Sequence, residues 1–262
     1  MSNEGSSGSS GKRRGSKRLE RPNKKLVGTK GAGSVRRERR SSRSIVVELP
    51  EEVKEEVENQ AVIGGVQGVH PVAQLESALT DAANAYANDR YVEAMRILRK
   101  LKTVLPGSGA VHELLGLCLY RLGHFQEAIR ELRKFVAITG SVDQHPVIAD
   151  CYRAVGNYSK MNLVFEELRK ASPDADLLAE GRIVVAGALI EQGDPMGAIK
   201  LLEESAGKRV SHPRPRHLRQ WYVLADAHEQ AGHIARAREL FGLVASYDPQ
   251  LADAAERYES LS

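Results

Sequence analysis

Two histidines near the C-terminus have the spacing that comes closest to a metal-binding motif. The stretch from His228 to His233 reads HEQAGH, which resembles a zinc-protease motif, but its two histidines are five residues apart. Two imidazoles on one helix face the same metal when they are four residues apart. Gly232 also predicts a turn just before His233. We therefore interpret His228 as a helix residue and His233 as a turn residue, and expect no metal site.

The only two cysteines, Cys118 and Cys151, could in principle form a redox pair. They are too few for a disulfide framework or a four-thiolate zinc site, which fits a reducing compartment. A disulfide would require their Cα atoms to come within about 7 Å. No motif places a histidine or an acid beside either thiol to activate it. The sequence favours two buried, small apolar residues.

A glycine-rich stretch, residues 64–68, is the last candidate for chemistry. It lacks the Lys-Ser/Thr pair of a phosphate-binding loop and precedes no strand–helix unit, so phosphate binding is not expected. The sequence thus contains no catalytic constellation. We predict a protein that is not an enzyme and has no cofactor, no metal and no small-molecule substrate.

Basic charge is concentrated at the N-terminus. Residues 1–44 contain fourteen Lys or Arg and three Glu, whereas the remainder of the chain has 24 basic and 31 acidic residues. With almost no apolar content this segment is expected to be a disordered basic arm. It could bind RNA, DNA or a ribosomal surface, or fold back on the acidic body. The arm residues predicted to contact a polyanion are Lys12, Arg13, Arg14, Lys17, Arg18, Lys24, Lys25, Arg36, Arg37, Arg39 and Arg40.

A second, smaller basic patch lies near residue 214. Pro213 and Pro215 are expected to keep this stretch extended. The patch is predicted to add to polyanion binding through Lys208, Arg209, Arg214, Arg216 and Arg219.

From Pro71 to the end of the chain, apolar residues recur at helical spacing, and no alternating strand-like run occurs. The stretch 221–249 is the clearest example, because two apolar helical faces are separated by Gly232 and the second ends at Pro249. Aligning the chain on such turns predicts five helical hairpins, at about 71–106, 109–139, 144–172, 175–206 and 216–247. A closing helix follows Pro249, and a short helix within residues 45–70 precedes the hairpins.

This pattern resembles the tetratricopeptide repeat family, whose period is 34 residues. The resemblance depends on small residues within the first helix of each hairpin, namely Ala82, Gly116, Ala149, Ala186 and Ala225. Small residues after the turns (Ala94, Ala128, Ala198, Ala237) and bulky residues further on (Leu98, Leu132, Phe165, Leu202, Phe241) complete it. The resemblance implies an all-α, right-handed superhelical solenoid over residues 71–262.

The resemblance also implies a partner-binding surface lined by the first helices. It places there Tyr86, Glu113, Leu117, Tyr120, Arg121, Asp150, Arg153, Ile183, Tyr222, Asp226 and Glu229. Aromatic rings interleaved with charges of both signs suit a peptide or a partner helix. Some family members bind a C-terminal carboxylate through Lys, Arg and Asn. The matching places here are occupied mainly by Leu79, Ala83, Leu114, Asp143 and Val147, so that mode is disfavoured.

The sequence therefore predicts a cytoplasmic, non-catalytic interaction scaffold. Its superhelix would hold a segment of another protein, while the basic arm contacts an acidic surface. The alternative is a factor associated with RNA or the ribosome, whose main affinity comes from the basic arm and residues 208–219. No run of eighteen apolar residues occurs, so no membrane span is expected.

Overall fold

The computed structural model describes residues 45–65, 70–206 and 210–261. The basic arm lies outside the described residues, and with it every arm residue predicted to contact a polyanion. Lys208 and Arg209 of the second basic patch also lie outside them.

The described chain begins with an extended segment, residues 45–50, followed by helix α1 (Glu51–Ile63). Helix α1 starts directly after Pro50 and carries Glu51 and Glu52 in its first turn, where the helix dipole favours carboxylates. Val57 and Ala61 on this helix are buried. The short helix predicted before the hairpins is thus present.

Five helical hairpins follow, at the positions that the sequence predicted. They are α2 (Val72–Ala87) with α3 (Tyr91–Val104), α4 (Gly109–Arg121) with α5 (Phe125–Thr139), α6 (His145–Ala154) with α7 (Tyr158–Lys170), α8 (Ala175–Glu191) with α9 (Pro195–Ala206), and α10 (Pro215–Gln230) with α11 (Ile234–Tyr247). Helix α12 (Ala254–Ser260) is the closing helix. No strand occurs within these described ranges. The all-α prediction is confirmed.

Small residues permit the close approach of the two helices in each hairpin. Gly116 on α4 shows why: a Cβ added there would lie 2.5 Å from a methyl carbon of Leu132 on α5. The equivalent Ala82, Ala186 and Ala225 are fully buried. Gly232 ends α10 with φ of +80°, a left-handed conformation that other residues rarely adopt.

Successive hairpins stack so that each second helix packs on the following first helix, and neighbouring first helices such as α6, α8 and α10 also contact one another. Their apolar faces form three buried clusters along the solenoid, and the largest fully buried side chains include Trp221 and Phe241. Among the described helices, none is long and apolar enough to cross a membrane.

Candidate partner-binding surface

Side chains of consecutive first helices bond to one another across the α4–α6 boundary. The Tyr120 hydroxyl on α4 donates a 2.6 Å hydrogen bond to Asp150 Oδ2 on α6. Gln144, at the start of α6, donates from Nε2 to Glu113 Oε1 over 2.6 Å. Burial, together with the negative charge of Asp150, raises the pKa of Tyr120. Its phenol therefore stays protonated and fixed in position.

Arg153 extends this chain of contacts from α6 to α8. Its Nε lies 2.7 Å from Asp150 Oδ1, and its Nη1 lies 2.5 Å from Glu191 Oε1. Burial alone would lower the pKa of Arg153, but the Asp150 and Glu191 carboxylates raise it overall. Tyr120, Asp150, Arg153 and Glu191 thus form one continuous polar network over three first helices.

An aromatic and cationic cluster lies beside this network, between the first two hairpins. The rings of Tyr86 and Tyr91 meet edge to face, with centroids 5.4 Å apart. The Arg121 guanidinium lies 5.6 Å from the centroid of the Tyr91 ring and donates a 3.4 Å hydrogen bond to its hydroxyl. Burial raises the pKa of Tyr91 to about 12, so this hydroxyl is protonated near neutral pH.

The predicted residues of the last hairpin contact the closing helix. Arg257 on α12 pairs with Asp226 over 2.7 Å and with Glu229 over 2.5 Å. Its guanidinium also lies 4.3 Å from the centroid of the Phe241 ring. Tyr222 donates a 2.6 Å hydrogen bond to Asp253. These side chains therefore hold α12 against the last hairpin.

Eight of the predicted partner-binding residues are half-buried and three are buried. The half-buried residues are Tyr86, Glu113, Leu117, Tyr120, Arg121, Arg153, Asp226 and Glu229. The buried residues, which have almost no surface for direct contact, are Asp150, Ile183 and Tyr222. The predicted residues that the structure brings together are those of α4 and α6, whereas Tyr222, Asp226 and Glu229 belong to a separate cluster around Arg257.

Glu191 and Gln144 belong to these contacts but are not among the residues predicted from the sequence. Both lie at helix termini, outside the repeated positions that defined the surface, and their partners are 38 and 31 residues away in the chain. A search for opposite charges one repeat apart would have found the pair of Arg153 and Glu191.

Two arginines of the second basic patch are paired with carboxylates on α8. Arg216 Nη1 lies 2.7 Å from Asp176 Oδ1, and Arg219 forms an ion pair with Glu180. The hydrogen bond from Arg216 lowers the pKa of Asp176. Arg214 is exposed at the start of α10. Much of the positive charge of this patch is therefore compensated within the chain.

The two histidines and two cysteines considered as candidates for chemistry all lie within the described ranges. His228 and His233 approach each other to 3.2 Å between their Nδ1 atoms. The described residues contain no group of three or more His, Cys, Asp or Glu that could hold a metal ion. Cys118 and Cys151 are free and buried, and burial raises the pKa of Cys118 to about 12. The Cys118 thiol is therefore protonated and unreactive near neutral pH.

Comparisons with known proteins agree with this architecture. A family model described as tetratricopeptide repeat matches residues 186–252, whereas no curated protein matches the chain. The solved structure of the apo form of the quorum sensor NprR from B. thuringiensis is similar, with a TM-score of 0.61 and 16% identity, covering 80% of this chain and 64% of that one. NprR in complex with its cognate peptide NprX has a TM-score of 0.49 and 17% identity, with 80% and 66% covered.

This chain thus spans slightly less than two thirds of the length of either NprR chain. At 16% identity the apo structure shows a shared fold and nothing further. The predicted resemblance to tetratricopeptide repeat proteins is confirmed, by a direct match over residues 186–252 and by the helical-hairpin fold of the described residues.

Proposed function

We propose that this protein is a non-catalytic scaffold that holds a peptide segment of another protein against its first helices. The binding surface would be built from residues of α4, α6 and α8 that are half-buried or exposed. We define this first-helix surface as Glu113, Leu117, Tyr120, Arg121, Arg153 and Glu191.

The observation that supports this proposal most strongly is the polar network that joins three consecutive first helices. Tyr120 and Arg153 are oriented through Asp150, which is only 4% exposed, so their rotamers are already restricted before a partner arrives. Ordering a long side chain at an interface costs about 0.5–1.5 kcal/mol. A surface whose side chains are fixed in advance avoids part of that cost.

The chemistry of the first-helix surface suits a peptide that carries both polar and apolar side chains. Arg121 and Glu113 carry opposite charges, Arg153 and Glu191 form an ion pair at the surface, and Leu117 lies on the same helix as Tyr120. Charges of both signs fix the register and direction of a bound segment, while the ring and the leucine supply apolar area. Solenoid proteins commonly use such extended surfaces for binding.

A peptide-display selection against the full chain tests this proposal. Selected peptides are then measured against two variants that carry the same substitution on different helices. Leu117→Arg introduces a large charged side chain into the first-helix surface. Leu163→Arg makes the same change on α7, at a side chain that is 63% exposed on a second helix.

We expect Leu117→Arg to lower the affinity of the selected peptides at least tenfold. Burying an unpaired charge at an interface costs on the order of 1.4 kcal/mol or more. Leu163→Arg should leave the affinity within about twofold. Equal loss in both variants, or no loss in either, would show that the peptides bind elsewhere.

Polyanion binding remains a second candidate, because fourteen Lys or Arg fall within residues 1–44. The carboxylate partners of Arg216 and Arg219 favour the basic arm over the patch near residue 214 as its source. Pull-downs with the full chain and with residues 45–262, each with and without nuclease, separate the two candidates. Partners that require both the arm and intact nucleic acid support polyanion binding, and partners that survive both treatments support the scaffold.

A further inference from the structure

The extended segment that precedes α1 lies along α2 in a regular, strand-like manner. Its side chains alternate: Val47 is half-buried and Leu49 is 8% exposed, whereas Val46 between the bound positions is 78% exposed. This period of two is the pattern of an extended chain with one face on a surface. Both Val47 and Leu49 pack into the apolar cluster of the first two hairpins.

Asn84 on α2 and Asn88, the residue directly after this helix, bond to the main chain of this segment. Asn88 accepts from the Ile45 N–H over 2.9 Å through Oδ1, and donates from Nδ2 to the Ile45 carbonyl over 2.8 Å. Asn84 Oδ1 accepts from the Val47 N–H over 2.6 Å. All three hydrogen bonds involve main-chain atoms of the segment, so they are independent of its side chains.

The spacing of the two asparagines matches the repeat of an extended chain. Residues four apart on a helix are separated by about 6 Å along its axis. Two residues of an extended chain span about 6.7 Å. Asn88 therefore meets Ile45 and Asn84 meets Val47 in one register, with the segment running antiparallel to α2.

We propose that this edge of α2 is a binding site for an extended peptide main chain and that residues 45–49 occupy it as an intramolecular competitor. The partner that suits this site is an extended segment with apolar side chains at alternate positions. Its backbone would take the hydrogen bonds of Ile45 and Val47, and its apolar side chains would take the places of Val47 and Leu49. Such a partner binds by displacing residues 45–49. The site shares no residue with the first-helix surface, so this inference does not depend on the function proposed above.

Proline substitutions in the full chain test the proposal. Val47→Pro removes the N–H that Asn84 accepts, and thereby weakens the intramolecular segment. Val46→Pro is the matched control, because successive residues of an extended chain alternate and the Val46 side chain faces solvent. The probe is a fluorescent peptide with the sequence of residues 44–50, SIVVELP, and its binding is followed by fluorescence anisotropy.

We expect the probe to bind Val47→Pro at least tenfold more tightly than it binds the unsubstituted chain or Val46→Pro. Adding Asn84→Ala and Asn88→Ala to Val47→Pro should abolish that gain. Equal affinity for all the variants, or a gain that survives loss of both asparagines, would overturn the proposal.

Hydrogen exchange in the unsubstituted chain provides a second measurement that requires no variant to fold. The Ile45 and Val47 amides should exchange slowly, and excess unlabelled SIVVELP should accelerate both by at least severalfold. Exchange rates that do not respond to the peptide would show that the segment is a fixed part of the fold and overturn the displacement mechanism.

Discussion

The two ends of the solenoid are closed in chemically different ways. At the N-terminal end, the hydrogen bonds that hold residues 45–49 join their main chain to the neutral amides of Asn84 and Asn88. At the C-terminal end, α12 is held through side chains, with Arg257 bonded to Asp226 and Glu229 and lying over the Phe241 ring. The polar contacts at one end involve a main chain, and those at the other involve one particular side chain.

This difference implies different specificity at the two ends. Many extended sequences offer the same N–H and C=O groups to Asn84 and Asn88. The contacts at the C-terminal end require a guanidinium at position 257, because only its planar fork bonds to the Asp226 and Glu229 carboxylates at once. We therefore expect exchangeable contacts at the N-terminal end and fixed contacts at the C-terminal end.

The largest expected decrease in stability follows from removing the Arg257 contacts. Arg257→Met retains the apolar stem but leaves Asp226 and Glu229, whose side chains are 24% and 30% exposed, without their cation. Breaking such a partly buried pair should lower the free energy of unfolding by about 2–3 kcal/mol. Urea denaturation of the full chain measures it.

The matched control is Arg236→Met, which breaks an exposed pair with Glu239 on α11. This substitution should lower the free energy of unfolding by less than about 0.5 kcal/mol. If both variants lose the same stability, the Arg257 cluster does not hold the closing helix.

A smaller effect is expected when Asn88 is replaced by alanine. The two hydrogen bonds to Ile45 are lost at an exposed site, so the free energy of unfolding should fall by only about 1 kcal/mol. Local exchange should change more than global stability, with the Ile45 amide losing its protection. If Asn88→Ala lowered the free energy of unfolding as much as Arg257→Met, the contacts at the N-terminal end would not be exchangeable.

The smallest expected effect is a dependence of stability on pH at the C-terminal end. Burial lowers the pKa of His228 from its ordinary value of 6.5; His233 and Arg236 lower it further, and Glu203 opposes them. The unfolded chain therefore binds a proton at a higher pH than the folded chain does. The resulting stability is complete above about pH 6.5 and is lost as the pH falls towards the lowered value.

The loss should be on the order of 1 kcal/mol or less. Urea denaturation of the parent chain and of His228→Gln between pH 7 and pH 5 measures it, and the variant should show a shallower decline. Identical pH profiles would exclude His228 as the cause. The amide contacts of Asn84 and Asn88 do not titrate in this range, which sharpens the contrast between the ends.

The fold could be predicted from the sequence because the residues that determine each hairpin are close together in the chain and recur in every repeat. Trp221 and Ala225 share one helical face, Gly232 marks a turn, and the same signals recur at similar intervals along the chain. A repeat solenoid buries each face against the adjacent unit, so a pattern of about 34 residues contains most of what determines its architecture.

The contacts of the candidate surfaces could not be predicted in the same way. Ile45 and Asn88 are 43 residues apart, and neither belongs to a repeated position. The resemblance placed Tyr120 and Arg153 on the predicted surface, but it did not show that both would bond to Asp150. The sequence near residue 214 predicts a basic patch that includes Arg216 and Arg219, because their carboxylate partners, Asp176 and Glu180, are about one repeat away in the chain.

The central claim, that a partner segment lies on the first helices, is tested most directly by site-specific photo-crosslinking in cells. A photoreactive phenylalanine analogue is placed at Leu117 on α4 or at Leu163 on α7 of the full chain, and crosslinked peptides are identified by mass spectrometry. We expect one defined segment of another protein to be crosslinked from position 117 and not from position 163. The same segment crosslinked equally from both positions, or none from position 117, would contradict the claim.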